Sequence, residues 1–282
     1  MQFTFEFGCK TPKVCRLGLA TRGNTHLEPD DVHSAVAQGI NYLNWCGHPN
    51  GLSKAVAEMG PDRKKIVLAW QLQYTKADEA GRELDFALEK MKTDYIDIVT
   101  FYYVERESEW YNIASQEGAY ALLSKAQEQG KVRLIGLTSH QRKMAVQIAA
   151  GDIRSDSQTT PCPLDMLMLR YNAAHRGAEK DVFPVTDFLH IPVVVYTCLR
   201  WGALLETTPS DPPGYIPPPP TEWYRFALAN PSVAVAISAP NDRKELNQNL
   251  ELLSDWRPPT KKEQTALIQH GDRVYQHAGG FP

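Results

Sequence analysis

The stretch Gly130-Lys131-Val132-Arg133-Leu134-Ile135-Gly136-Leu137-Thr138-Ser139 joins a helix-ending glycine to a mostly apolar run that finishes in hydroxyl side chains. Such a run is typical of a strand buried in a parallel sheet, and Gly130 favours the end of a helix just before it. The same alternation of a short apolar run and a helix-like stretch occurs eight times along the chain. The predicted strands are residues 17–21, 41–43, 66–72, 96–103, 132–138, 166–169, 192–198 and 233–237.

Eight units of strand and helix predict a closed (β/α)8 barrel, the TIM barrel, in which helices cover a cylinder of parallel strands. A chain of 282 residues fits one such barrel, and no linker-like segment divides it. We therefore expect a single domain over residues 1–282. Enzymes with this fold work at the carboxyl ends of the strands. We call that end of the barrel the barrel mouth, and we expect the functional residues there.

Two additions to the barrel are predicted. Alternating phenylalanines within residues 3–7, followed by a turn near residues 10–12, predict an N-terminal β-hairpin that caps one end of the barrel. Thr260 and Glu263 form a capping-box pattern, which predicts an extra C-terminal helix.

Residues 207–221 contain seven prolines and cannot form the interior of a helix. They are predicted to form a stiff loop at the mouth, either a connector or a wall of the binding pocket.

Charge and cysteine content exclude several classes of function. The net charge of −3 provides no basic surface for nucleic acid, and no apolar stretch reaches the roughly 20 residues that a membrane-spanning helix needs. The first residues lack the pattern of a signal peptide, and the five cysteines show no CxxC pair. We therefore expect reduced thiols and a cytoplasmic location. No Cys or His cluster has metal-ligand spacing, so no metal site is predicted.

Polar residues lie at the carboxyl ends of four of the predicted strands. They are Asn44, Gln71, Tyr102 and the group Thr138-Ser139-His140. Because the strands of a barrel are parallel, we expect these side chains to share the mouth. Nearby aromatic residues predict a small-molecule substrate that is flat or apolar. The residues predicted to line the mouth in this way are Trp45, Trp70, Tyr102, Tyr103, Trp110 and Trp201.

Five motifs occur in a fixed order along most of the chain, at residues 39–43, 95–98, 130–139, 195–196 and 245–250. Their order and spacing resemble the aldo-keto reductase family. The resemblance implies the same barrel, a nicotinamide cofactor, NADP(H) or NAD(H), bound in an extended pose, and hydride transfer to a carbonyl substrate. It also implies that Thr138 and Ser139 hold the nicotinamide amide, that Tyr196 stacks under the nicotinamide ring, and that Asn249 contacts adenine.

The cofactor site of this sequence departs from the family pattern at two places. The glutamine that completes the family's amide clamp aligns with Met168, and its phosphate-binding residues align with residues 238–240. Arg243 lies near the start of a predicted helix, where a phosphate is favoured. Ordinary solvated charge is the alternative interpretation of Arg243. The choice between NADP(H) and NAD(H) therefore stays open.

The catalytic positions depart further. The family uses Asp, Tyr, Lys and His, but the Asp aligns with Asn44, the Lys with Gln71 and the His with Tyr102. The family's Tyr falls in the segment Gly47-His48-Pro49, which contains no tyrosine. An uncharged Asn–Gln pair cannot lower the pKa of a phenol electrostatically. His48 can exchange a proton near neutral pH and is the candidate replacement donor.

Three hypotheses remain open on this sequence. The first is a divergent oxidoreductase that keeps a nicotinamide cofactor and uses His48 or Tyr102 as proton donor. The second is a cofactor-independent acid–base enzyme, such as an isomerase, lyase or cyclase, on the same barrel. The third is a non-catalytic binding barrel. His140 is interpreted as a loop residue without a function. Glu105 and Glu107, just beyond the fourth predicted strand, are interpreted as solvent-facing, with a carboxylate base as the alternative.

Overall fold

A computed structural model of the chain describes residues 3–8, 10–21, 25–154 and 162–277. The predicted hairpin is confirmed as an antiparallel pair, β1 (Thr4–Phe5) and β2 (Val14–Cys15). Eight parallel strands then close a barrel in the order β10-β3-β4-β5-β6-β7-β8-β9, which confirms the TIM barrel. These strands are β3 (Leu17–Ala20), β4 (Tyr42–Trp45), β5 (Val67–Leu72), β6 (Ile96–Phe101), β7 (Val132–Ser139), β8 (Met166–Arg170), β9 (Val193–Tyr196) and β10 (Val233–Ser238).

Helices connect the strands and cover the outside of the cylinder. They are α1 (Pro29–Ala37), α2 (Gly51–Glu58), α3 (Ala77–Lys90), α4 (Glu107–Ile113), α5 (Ala119–Glu128), α6 (Arg142–Ala150), α7 (Ala178–Asp181), α8 (Phe183–Leu189), α9 (Pro220–Ala229) and α10 (Arg243–Ser254). The predicted C-terminal helix is present as α11 (Lys261–His277), and the Thr260–Glu263 capping box begins it. Residues 278–282 lie outside the described residues.

Strand burial follows from the double-sided packing of the barrel. Every residue of β5, β6 and β10 is buried, because one face points into the cylinder and the other against the helices. The interior is tight at Gly136, where an added Cβ would lie 2.3 Å from the sulfur of Met166. A side chain at this position would therefore force β7 away from β8.

The hairpin closes the amino-terminal end of the barrel. The Phe7 ring stacks on the buried ring of Tyr42, the first residue of β4, with centroids 5.9 Å apart. Asn41, which was predicted to begin this strand, instead uses its side chain to join the hairpin to the barrel. Its Oδ1 accepts from the backbone N–H of Cys15 at 2.7 Å, and its Nδ2 donates to the carbonyl of Lys13 at 2.8 Å. These bonds hold the cap in place.

The proline-rich segment is fastened to the last helix. The carboxylate of Asp211 accepts a hydrogen bond from the backbone N–H of Thr208 at 2.5 Å and forms an ion pair with Arg273 of α11. The buried His270 ring, also in α11, lies 3.4 Å from the same carboxylate. As predicted, no helix interior forms among these prolines, and Pro220 occupies the first turn of α9, which tolerates proline.

In the described part of the chain, no helix is long and apolar enough to cross a membrane.

Candidate active site at the barrel mouth

Two buried amides lie side by side near the carboxyl ends of β4 and β5. Asn44 pairs in register with Ala69, two residues before Gln71, so both amides lie on the same face of adjacent strands. Among the described residues, the hydrogen-bond partner of each amide nitrogen is a sulfur: Asn44 Nδ2 lies 3.9 Å from Cys46 Sγ, and Gln71 Nε2 lies 3.8 Å from Met168 Sδ. Sulfur is a weak acceptor. The Oδ1 of Asn44 is buried and has no hydrogen-bond partner among the described residues. The two amides therefore keep hydrogen-bonding capacity for a ligand.

The two hydroxyls at the end of β7 differ in their contacts. Thr138 is fully buried, and its Oγ1 has no hydrogen-bond partner within the described ranges. Ser139 Oγ, in contrast, donates to the carbonyl of Val104 at 2.7 Å and accepts from the backbone N–H of Gln141 at 2.9 Å. Thr138 can therefore bind a ligand at no cost to an existing bond, whereas the Ser139 hydroxyl already holds the loop after β7.

Three tyrosines form an aromatic wall beside these polar groups. The rings of Tyr102 and Tyr103 lie 4.2 Å apart, and Tyr103 meets Tyr196 edge-on at 6.1 Å. Tyr196 donates its hydroxyl to the carbonyl of Ser139 at 3.0 Å, and burial raises the pKa of this phenol. Tyr102 is 41% exposed, and burial followed by the proximity of Cys46 raises its pKa as well. Tyr102 is therefore a reachable, protonated hydrogen-bond donor at neutral pH.

The predicted aromatic lining is wrong for three tryptophans. Trp45, Trp70 and Trp110 are buried in the layer between the barrel and its helices. Trp45 and Trp70 are each one residue away from the inward-facing Asn44 and Gln71 in their strands. Because successive strand residues point to opposite faces of the sheet, both indoles point toward the helices. Only Trp201, with 57% exposure, is an open tryptophan among those predicted.

His48 stands apart from the other predicted catalytic residues. It lies on the exposed loop after β4, and its backbone carbonyl accepts a hydrogen bond from Trp45 Nε1 at 2.8 Å. Its imidazole makes no hydrogen bond or ring contact with the described residues. The structure thus brings Asn44, Gln71 and Tyr102 to one mouth but gives His48 no contact with them, and its role stays a prediction.

A histidine–carboxylate pair at the mouth is a component that the sequence analysis did not predict. Glu105 Oε1 lies 3.2 Å from Nδ1 of His140 and also accepts from the backbone N–H of His140 at 2.7 Å. The His140 ring stacks on Tyr103 at 4.3 Å. Glu105 and His140 follow β6 and β7, which are neighbours in the barrel, so adjacency of these strand ends was the available signal.

Positive charge gathers beyond β8 and β9. The pKa of His175 falls to about 4, because burial disfavours its charged form and Arg170, Arg200 and Arg142 repel it. Arg170 ends β8 and pairs in register with Tyr196. The sequence analysis singled out none of these arginines, since they are scattered along the chain and meet only in the fold. This side of the mouth favours an anionic ligand.

The predicted adenosine end of the cofactor site is more acidic. Arg243, the first residue of α10, is paired through its Nε with the carboxylate of Asp31. Asp242 caps the same helix by accepting from the backbone N–H of Glu245 at 2.9 Å. Asn249 is buried and donates from Nδ2 to Ser238 Oγ at 2.8 Å. Carboxylates therefore already occupy the helix terminus that was predicted to bind phosphate.

Comparison with known proteins identifies the family. The model of the aldo/keto reductase family matches residues 24–218. This segment is more than half of the chain, so the chain belongs to the aldo-keto reductase family. A search of curated proteins gave no match.

Solved structures share the fold at low sequence identity. An aldo-keto reductase from Klebsiella pneumoniae in complex with NADPH has a TM-score of 0.75 and 18% identity, over 96% of each chain. The glycerol dehydrogenase of Gluconobacter oxydans has a TM-score of 0.71 and 16% identity, over 99% of this chain and 97% of its own. A thermostable aldo-keto reductase in complex with the inhibitor epalrestat has a TM-score of 0.68 and 18% identity, over 95% of this chain and 100% of its own.

Proposed function

We propose that this chain is an oxidoreductase that binds NAD(H) or NADP(H) in the barrel mouth and interconverts a carbonyl and an alcohol. The observation that carries the proposal is a pair of buried polar atoms without partners in the described part of the chain, Thr138 Oγ1 and Asn44 Oδ1. Buried polar atoms in folded proteins are almost always satisfied. A bound ligand with amide or hydroxyl groups would satisfy both.

The residues present fit a nicotinamide better than they fit an adenosine 2′-phosphate. Thr138 can hold the carboxamide, and Tyr196 at the end of β9 lies close by, since its hydroxyl donates to the carbonyl of Ser139 at 3.0 Å. When bound, such a cofactor supplies or accepts a hydride. Arg170 and Arg200, whose charges act on His175, would lie near its anionic linkage. Asn249 and Arg243 would contact the adenosine end. The Asp31–Arg243 pair and the carboxylate of Asp242 disfavour the 2′-phosphate of NADP(H) there. These charges support NAD(H) as the preferred form.

The substrate oxygen is proposed to lie among Asn44, Gln71 and Tyr102. The two amides can orient it, and the Tyr102 phenol can donate a hydrogen bond to it. His48 is retained as a second candidate proton donor, on the strength of its exposed imidazole on the loop after β4. Tyr102, Tyr103 and the exposed Trp201 support an aromatic or apolar substrate.

A cofactor-independent acid–base enzyme is the second candidate. The observation in its favour is that the Ser139 hydroxyl is fully engaged by Val104 and Gln141, while Met168 stands where the resemblance expects an amide. Two of the expected contacts to a nicotinamide amide are therefore weak or absent. Proton-transfer chemistry needs neither of them, and Glu105 and His140 could support it.

Titration with NADH and NADPH tests the proposed function. A ligand at 100 times its Kd stabilises the folded state by about 2.7 kcal/mol, so either dinucleotide should raise the Tm and change its own fluorescence. No response to either one would rule the proposal out and favour the second candidate.

Two matched valine variants sharpen this test. Thr138→Val removes a hydroxyl without partners in the described chain, so it should leave stability unchanged or improved, yet weaken dinucleotide binding about fivefold. Thr186 is also buried, but its hydroxyl lies 3.3 Å from the carbonyls of Val182 and Phe183. Thr186→Val should therefore lower stability by about 1 kcal/mol and leave dinucleotide binding as in the wild type. A dinucleotide affinity of Thr138→Val equal to that of the wild type would contradict the assigned site.

A further inference from the structure

Among the described residues, two histidine–carboxylate pairs have nearly equal length in different surroundings. His33 and Glu58 meet at 3.1 Å on the exposed surface of α1 and α2. His140 and Glu105 meet at 3.2 Å at the mouth, where the side chains are only 21% and 30% exposed. The surface pair is a matched reference for what the mouth pair can do.

The mouth pair is held from several sides. Glu105 also accepts from the backbone N–H of His140, and the imidazole stacks on Tyr103 and meets Tyr196 edge-on at 5.8 Å. With Glu105 at Nδ1, a neutral His140 carries its proton on Nδ1 and leaves a lone pair on Nε2. Nε2 makes no hydrogen bond to the described residues. The ring thus presents one fixed basic atom.

The groups around the imidazole set its charge. Burial lowers the pKa of His140, the Glu105 carboxylate raises it, and the Arg170 guanidinium lowers it, with a net shift downward. Tyr103 and Tyr196 contribute uncharged rings. At neutral pH, His140 is therefore mostly neutral, which is the form that accepts a proton.

Resting on the proposed function, we propose that Nε2 of His140, oriented by Glu105, accepts the hydroxyl proton when an alcohol is oxidised in the mouth. The O–H bond breaks and its proton passes to Nε2. The C–O double bond forms as the carbon loses a hydride, for which the acceptor is an oxidised nicotinamide dinucleotide. In the opposite direction the imidazolium returns the proton. His140 is thus a catalytic residue, and Glu105 is its positioning residue.

Nitrogen NMR of histidine-labelled protein tests this assignment without any turnover. The His140 signals, identified by their loss in His140→Gln, should report the Nδ1–H tautomer and a pKa below 6.5. Glu105→Gln keeps an acceptor but removes the charge, so it should lower that pKa further. An Nε2–H tautomer, or a pKa indifferent to Glu105→Gln, would overturn the proposal.

Dinucleotide binding separates this proposal from the proposed function. NAD+ or NADP+, whichever raises the Tm, should shift the His140 signals and leave those of His33 unchanged. A Tm increase without a change at His140 would overturn this inference alone. No Tm increase with either dinucleotide would overturn both proposals.

Oxidation of benzyl alcohol and 1-phenylethanol provides the kinetic comparison. His140→Gln should lower kcat at least 100-fold with KM nearly unchanged, and Glu105→Gln should lower it about tenfold. His140→Gln should also remove the inflection at acidic pH from the plot of kcat against pH. His33→Gln and Glu58→Gln are the matched controls and should match the wild type. Equal kcat and pH profile in His140→Gln and wild type would refute the assignment.

Discussion

The side-chain amide of Gln71 on β5 lies 3.8 Å from the sulfur of Met168 on β8, across two intervening strands of the barrel. A thioether is a poor acceptor for an amide. The buried amide therefore contributes little to stability, although it occupies a costly position. A group kept inside a protein without a stabilising bond is a good candidate for a functional role.

Gln71→Met should separate stability from activity. Methionine has a similar volume, so the free energy of unfolding should change by less than about 1.5 kcal/mol, while oxidoreductase turnover falls. Gln127→Met is the comparison, because Gln127 Nε2 donates to the carbonyl of Arg133 at 3.1 Å outside the mouth. That variant should lose about 1 kcal/mol of stability and keep its turnover. Urea unfolding and steady-state kinetics measure both effects; a large loss of stability in Gln71→Met would indicate a structural amide.

Tyr102→Phe should lower turnover about tenfold, because it removes one hydrogen bond to a developing charge on the substrate oxygen. The ring is 41% exposed, so the Tm should stay within about 1 °C of the wild type. Tyr74, which is 48% exposed on the loop after β5, provides the control substitution Tyr74→Phe with wild-type kinetics. Unaltered turnover in Tyr102→Phe would remove this phenol from the proposed site.

Asp31→Asn should move cofactor preference toward NADPH. The substitution frees the exposed Arg243 from its ion pair and removes one negative charge beside α10. Arg243 is exposed but Asp31 is buried, so the pair should be worth at least the upper part of the range for surface pairs, about 0.5–1 kcal/mol, which corresponds to a several-fold gain in NADPH affinity relative to NADH. Asp30→Asn removes a neighbouring exposed charge that is not paired with Arg243 and should change the ratio less. Fluorescence titration with both dinucleotides gives the ratio; an equal change in the two variants would mean that the pair has no specific role.

The contacts of the Asp211 carboxylate between the proline-rich segment and α11 predict a pH dependence of stability. Burial alone would raise the pKa of Asp211, but hydrogen bonds from Thr208, Arg273 and His270 outweigh it and lower the value to about 2. A depressed pKa in the folded state stabilises the protein above the unfolded value of about 3.9. This contribution declines as the pH falls from about 4 to about 2. Asp211→Asn should therefore lower the Tm at pH 7, and the difference from wild type should shrink below pH 4. A constant difference across that window would contradict the charge-based account.

Much of the fold was predictable because it depends on local patterns. Unbroken apolar runs marked the eight strands, and the Thr260–Glu263 pattern marked the start of α11. The chemical character of strand ends was predictable too, since Asn44, Gln71 and Thr138 lie buried where the periodicity placed them. These conclusions needed only the neighbours of each residue along the chain.

The rest depended on contacts between distant segments. The orientation of Trp45 and Trp70 depends on the register of each strand, and a shift of one residue moves a side chain from the cylinder to the helix layer. The Glu105–His140 pair depends on the paths of two loops. The sequence also could not show that the Ser139 hydroxyl is engaged by Val104. Hydrogen bonds between loops are decided by the assembled fold.

The Phe7–Tyr42 stack and the Asn41 tie seal the barrel at the end opposite the mouth. The contacts that close the barrel and the proposed functional residues thus lie at opposite ends of the cylinder. Residues at the mouth can therefore change during evolution without loss of the barrel, since the hairpin contacts at the opposite end hold the strands together. A protein engineer could use the same arrangement by randomising residues at the barrel mouth while leaving the Phe7–Tyr42 stack and the Asn41 hydrogen bonds unchanged.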